Sequence, residues 1–445
     1  MSGPKVVRVV TREERLVECM AALARLDNAI RAAAAQDADG TATAALRERR
    51  ETLAALLDGT VLDGVAQRLA AEAAFVRDTV EQRRIAAAEA KAAALRQARQ
   101  QRANAEILLR ELAAKGVGDA TIADALQRVR SGQCDGSDAE RIVREAAEKL
   151  VVAAPEPTLG DAQREIAKRL RANEAPAEYI VWQAPADPRE RRLQRIEQRL
   201  AQLSVLLGDA LAGTFAARLR SLESAPDDAR GHLLADSLIA DLQAAVDQAR
   251  QTAALVAAAQ DLLAGIESAA ATDGAQDIAA QAAALRAAIG AQDAERLRDA
   301  VSSAEAAWKA CRAQQAAQAR RAAILTGLAT LGYEVHEGMN TALAAQGRVV
   351  LKNPALAGFG VEIAGAADAA RLQVRAVAFD PARDSRRDRD AETLWCSDFH
   401  QLEEMLAQQG SGVVVEKALA IGAAPLKVVE KTETPAPAPA AVRQK

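Results

Sequence analysis

The sequence predicts a mostly α-helical protein: a long alanine-rich antiparallel helical or coiled-coil body followed by a small C-terminal α+β domain. Three observations lead there. The strong helix formers alanine, leucine, glutamine, glutamate and arginine dominate from about residue 12 to residue 331. Residues 65 to 115 contain neither proline nor glycine, and as one helix they would extend roughly 75 Å at 1.5 Å per residue. At Gly332 the composition changes to short β-branched runs separated by glycine, asparagine and proline.

Hydrophobic residues make up 50% of the chain but aromatics only 2%. Much of the apolar total is alanine, which buries little area, so thick cores are not expected over most of the length. Lysine and arginine total 57 against 61 acidic residues, a formal charge of −4, which gives no bulk attraction to DNA or anionic lipid. The cysteines at 19, 134, 311 and 396 are isolated, with no CxxC pair, a usage that suits a reducing compartment. No signal-like segment and no apolar run of about 18 residues is found, so a cytoplasmic protein without a membrane span is expected. The alanine and arginine bias suggests a bacterial chain.

The elements follow in order. KVVRVV at 5 to 10 reads as a short strand or extended arm, and Thr11 with Glu14 makes a TxxE capping box that opens a helix running to about Asp37. A second helix starts near Thr43 and is broken by GTVLDG at 59 to 64. In the long helix from Val65, Leu69, Phe75, Val76, Val80 and Ile85 lead in, Ile107, Leu108 and Leu112 lead out, and the middle face is alanine apart from Leu95. Such a stripe predicts a seam with a partner helix that is thin at its centre. The competing reading is a single helix stabilised by solvated charges. Short helices near 119 to 130 and 137 to 151 flank SGQCDGSD, which lacks the calcium-loop spacing and reads as a turn.

Proline-bearing stretches mark the clearest boundary, with YIVW at 179 to 182 as a small extended anchor. From Pro188 the helical pattern returns. Leu193, Ile196, Leu200, Leu203 and Leu207 recur at spacings of three and four, and breaks at APDD and ATDG divide helices of about 189 to 223, 229 to 268 and 275 to 331 into an antiparallel bundle. The domain plan is therefore 1–152, an N-terminal long-helix region; 153–188, a proline-containing linker with a short helix; 189–331, a helical bundle; 332–431, a small α+β domain with a mainly antiparallel sheet; and 432–445, a proline and alanine tail. A fragment of about 330 to 432 is expected to fold alone, since about 100 residues can hold a core.

The stretch RDSRRDRDAETLWCSDFH at 383 to 400 is the richest in chemistry-bearing side chains. Its charges alternate as in a solvated connection between a strand ending at Phe379 and a helix capped by Asp398, with Gly410 just past that helix. Arg383, Arg386, Arg387, Arg389 and Trp395 are the candidate partner-binding residues. Cys396 and His400 lie four apart and with Asp398 or Glu392 suggest a metal pair or a catalytic dyad, but one cysteine and one histidine fall short of a closed tetrahedral set. HEGMN at 336 to 340 begins like HExxH, yet Asn340 stands where the second histidine is needed. The chain has no P-loop, no GxGxxG opening a helix and no GxSxG elbow. No catalytic residue, cofactor or metal is assigned.

Composition and patterning together point to a non-enzymatic coiled-coil scaffold or adaptor subunit of a bacterial multi-protein assembly. Protein partners are expected, a separately encoded ATPase among them in a phage-defence or quality-control setting, with homo-oligomerisation through the coiled coil. The first rival is a nucleic-acid-associated protein whose arginine-rich runs (ERRLQRIEQR, RQARQQR, KACRAQQAAQARR) follow phosphates. The second is a hydrolase centred on Cys396.

Overall fold

Thr11 caps the first helix as its spacing to Glu14 predicts: its Oγ1 accepts the Glu14 amide at 3.2 Å and opens α1 (Arg12–Ala34). The computed structural model describes residues 4–37, 40–116, 120–152, 160–172, 187–270, 278–336, 338–366 and 371–429. The expected YIVW anchor, the ATDG break and the proline and alanine tail lie outside these residues. Among them are thirteen α-helices and a six-stranded sheet, and no helix is long and apolar enough to cross a membrane. The chain divides into two units, one made of residues 1–80 and 254–445, the other of 81–253.

In the first unit α1 packs on α2 (Thr41–Ala54) and on the start of α3 (Val65–Ala114). Leu23, Leu26 and Ile30 meet Leu62, Leu69, Val76 and Val80. The C-terminal end of α9 (Ala229–Ala270) joins α10 (Ala279–Ala291) and α11 (Ala294–Thr330) around Ile266, Leu285, Leu297 and Trp308. The expected single helix of 275 to 331 is thus two, because Gln292 takes a left-handed conformation and Asp293 caps α11 through the Glu295 and Arg296 amides.

The sheet belongs to this unit and corrects the domain plan. Its order is β2 (Arg348–Lys352), β3 (Phe359–Ala364), β4 (Arg371–Ala378), β1 (Lys5–Val10), β5 (Gly412–Ala418), with β6 (Lys427–Val428) parallel to β4 at its far end. The remaining pairs are antiparallel. KVVRVV is therefore an interior strand of the C-terminal sheet, and residues 332–431 do not contain the whole domain. The physical reason is alternation: Val7 and Val9, each 1% exposed, fill the core face, while both backbone edges find partners. On that face α11 supplies Ile324, Leu325 and Leu328, α12 (Met339–Gln346) supplies Leu343, and α13 (Arg386–Gln408) supplies Trp395, Phe399, Leu402 and Leu406. Gly410 ends α13 at φ +79°, and any Cβ there would collide with the Thr60 carbonyl, so the position requires glycine on both counts.

In the second unit the rest of α3 runs along α7 (Pro188–Leu207), with α4 (Ala120–Ser131), α5 (Gly136–Val152), α6 (Asp161–Ala172) and α8 (Asp209–Glu223) following the chain. Gly208, at φ +85°, separates α7 from α8 where one helix to 223 was expected. Arg99 of α3 meets Glu190 of α7, whereas Ala88 and Ala92 share a shallow cleft with Gln202 and Leu206, so the two helices are antiparallel. Ala88 and Ala92 are buried and Leu95 packs on the α7 cluster of Leu193, Ile196, Leu200 and Leu203. The alanine stripe serves as a close-approach seam within the chain. Phe75, Ile85 and Ile107, expected to lead into or out of that seam, are exposed instead. The buried positions 69, 73, 76, 80, then 88 and 92, then 105, 108 and 112 keep a spacing of three and four, and those three residues fall off it.

Polar contacts tie the seam. Arg99 donates to both oxygens of Glu190 at 2.7 and 2.8 Å and to Glu197 at 2.7 Å. Glu197 is fully buried. Burial pushes its carboxyl up, and the bond and charge of Arg99 only partly counter this, whereas the hydrogen bond from Arg99 lowers the half-buried Glu190. Arg102 forms a two-pronged pair with Glu223 at 2.7 and 3.1 Å.

Candidate partner-binding surface

The charged stretch at 383 to 400 is helix for most of its length, which corrects the reading of a loop capped by Asp398: α13 begins at Arg386. Arg383, just before it, holds both oxygens of Asp388 at 2.8 Å and reaches the Leu426 carbonyl at 3.3 Å. Alternating charge thus closes a turn and starts a helix. Arg383 is consumed by the fold, while Arg386, Arg387 and Arg389 stay exposed, Arg387 with its guanidinium 5.8 Å from the Phe359 ring centre. Three arginines beside a helix N-terminus oppose the helix dipole, so helix stability does not explain them.

Trp395 is also corrected. At 2% exposure it lies in the core, its ring centre 6.2 Å from Tyr333 and 5.7 Å from Phe399. An indole held edge-on to Tyr333 and tilted against Phe399 supports the sheet and is not offered to a partner. Asp398 accepts the Tyr333 hydroxyl at 2.7 Å, and burial first, then this bond, push the Tyr333 phenol up.

Cys396 and His400 are not brought together. Cys396 is half-buried and faces the Lys5 ammonium, whose Nζ lies 3.5 Å from Sγ and 4.0 Å from the Phe399 ring centre. His400 is on the exposed face, 3.6 Å from Glu403 and 3.4 Å from Glu404. His336 precedes α12, which starts only at Met339, so HEGMN is not a helical motif. Among the described residues no three histidine, cysteine or acidic side chains converge as a metal set.

The structure adds a feature that sequence reading missed. The face of the sheet turned away from α11 and α13 carries Arg8 from β1, Arg348 and Lys352 from β2, Arg371 and Arg375 from β4, Lys417 from β5 and Lys427 from β6. The pairings Arg8 with Arg371, Arg375 with Glu362, Lys352 with Gly360 and Val6 with Lys417 place them on one side. Three carboxylates accompany them. Glu334 sits opposite Lys352, Glu416 lies at an irregularity of β5 where it reaches Arg371 at 2.6 Å and Arg8 at 4.0 Å, and Glu362 lies at the centre. Glu362, 1% exposed, takes Arg375 at 2.5 Å, Lys427 at 2.9 Å and Arg348 at 3.4 Å. Burial pushes its carboxyl up, but the bonds from Lys427 and Arg375 outweigh this and hold it below the ordinary glutamate value. A signal was present in FGVEIA, where Glu362 interrupts an apolar run at an alternate position, but its three cations come from 13 or more residues away.

A groove of about 910 Å³ lies between α1, α11 and the end of α9, floored by Leu16, Val17, Met20 and Trp308. Two arginines around it are paired, Arg320 with Glu14 at 2.5 Å and Arg312 with Glu18 at 3.1 Å. No family model matches the chain, and comparison with curated proteins and with solved structures returns no match either.

Proposed function

We propose that the chain is a non-enzymatic scaffold or adaptor, an accessory subunit of a multi-protein assembly whose helical frame supports a sheet domain that docks a protein partner. A separately encoded ATPase is one such partner. The observation that carries this reading is the open sheet face, where seven cations stand against three carboxylates, in a domain that also bears the exposed arginines at the start of α13. Flat charged surfaces favour recognition over desolvated chemistry. Against the nucleic-acid alternative stands the use of the arginine runs: Arg99, Arg102, Arg192 and Arg312 are paired with Glu190 and Glu197, Glu223, Asp236 and Glu18. The charges so paired are not left over for a phosphate stripe.

The test is affinity purification of the full chain beside a variant with Arg386, Arg387 and Arg389 all changed to alanine. A defined protein is expected with the wild type and less of it with the variant, at unchanged thermal midpoint, because exposed ion pairs contribute about 0–1 kcal/mol. Recovery of nucleic acid alone, falling steeply with salt, would replace this reading by the nucleic-acid one.

A further inference from the structure

We infer that the open face of the sheet is a docking surface for an acidic amphipathic protein segment. The inference rests on the adaptor reading and names the chemistry of its partner. The face holds a surplus of four positive charges in a chain whose formal charge is −4, so the positive charge is concentrated there and not a property of the whole protein. Two of the three carboxylates are already engaged, Glu362 by three cations and Glu416 by two arginines. The surplus is spread over side chains that stay accessible: Lys352 and Lys417 are exposed, and the paired Arg8, Arg348 and Arg371 are about half exposed or more.

The buried Glu362 has a second effect. It gathers Arg348, Arg375 and Lys427, from three different strands, around one point. A lone carboxylate cannot neutralise three cations, and a second carboxylate arriving from a partner finds donors already positioned, with little left to order.

Between the cations stand Val6, Val10, Val350 and Val414, partly or fully exposed on the same face. An occupant that matches both features presents carboxylates alternating with aliphatic side chains, as an acidic amphipathic helix does. Two other occupants fit less well. A second copy meeting face to face would set cations against cations, because a twofold contact pairs a patch with itself. Single-stranded nucleic acid is bound on sheets by exposed aromatic platforms. Phe379 is the aromatic beside this face, and its ring lies half-buried where a Cβ on Gly360 would stand.

The experiment uses the full chain, a fluorescein-labelled peptide of about twenty residues in which Glu and Leu form an amphipathic helix, and an oligothymidylate of about twenty nucleotides. Lys352, Arg371 and Lys417 are changed together to glutamate, and in a second variant to glutamine, with circular dichroism to check the fold. The expected result is saturable peptide binding that weakens with salt and falls about tenfold or more in the glutamate variant, with a smaller loss in the glutamine variant. Equal binding to wild type and folded variants, no peptide binding, or tighter binding of the oligonucleotide would overturn the inference. If the partner recovered by affinity purification stays bound to the charge-reversed face, the inference fails while the adaptor reading stands. If no protein is recovered with the wild type, the adaptor reading itself fails.

Discussion

Removing β1 from the sheet should unfold the C-terminal domain. A fragment of 332–431 lacks Val7 and Val9, both buried at 1%, and also Ile324, Leu325 and Leu328 of α11, buried at 4% or less. Burying a side chain of this kind contributes about 1.5–3 kcal/mol. The two valines alone therefore represent about 3–6 kcal/mol and the three α11 residues about 4.5–9 kcal/mol, comparable to the whole 5–15 kcal/mol stability of a domain. The loss also leaves one edge of β4 and one edge of β5 without hydrogen-bond partners. The fragment should show weak near-ultraviolet dichroism and no cooperative thermal transition. A second fragment, 318–431 with residues 4–11 joined after its end by a glycine and serine linker, should recover both. Cooperative unfolding of 332–431 by itself would refute the reasoning and restore the simple boundary at Gly332.

Three further outcomes are expected. Arg99→Ala leaves the Glu197 carboxyl fully buried and without its main partner, and should cost about 3–5 kcal/mol in urea unfolding, whereas Arg99→Met with Glu197→Leu should restore most of the loss. Glu362 has a depressed carboxyl, so its contribution is present above the unfolded value near 4.5 and is lost as pH falls through the folded value below it. Thermal midpoints measured from neutral into this acid range should decline less steeply in Glu362→Gln, which at neutral pH should be less stable by about 1–3 kcal/mol, because Arg348, Arg375 and Lys427 are exposed enough to rehydrate. Cys396→Ser, at a half-buried position, should cost about 1 kcal/mol or less. A stable Cys396→Ser protein that no longer captures its partner would give the thiol a chemical role.

What could be read from the sequence was what repeats locally. The N-cap at Thr11, the stripe from Leu193 to Leu203, the unbroken helix from Val65 and the change of composition at Gly332 each depend on residues within a few turns of one another, and each stands in the structure, although the Glu14 carboxylate that would complete a capping box is taken by Arg320. The failures share a different origin. KVVRVV shows alternation but not its neighbours, which begin at residues 371 and 412. The start of α13 was misplaced because alternating acids and arginines suit a solvated turn as well as a helix, and the Arg383 to Asp388 pair that decides the matter spans only five residues but needs a folded Leu426 carbonyl behind it. The basic face was hidden for the same reason as β1: Arg8, Arg348, Glu362 and Lys427 become neighbours only when the strands take their order.

The interior position of β1 also sets a schedule for synthesis. Its partner β4 begins at Arg371, some 360 residues later, and at the usual 5–20 residues per second a ribosome needs roughly 20–70 s to reach it. Throughout that interval KVVRVV is a hydrophobic strand with both edges open, attached to helices that can already form. Its charges, Lys5 and Arg8 within the strand and Arg12 just after it, then act as guards against premature pairing. Late pairing of this first strand is the step at which a nascent chain would be most exposed to a neighbour on the same messenger.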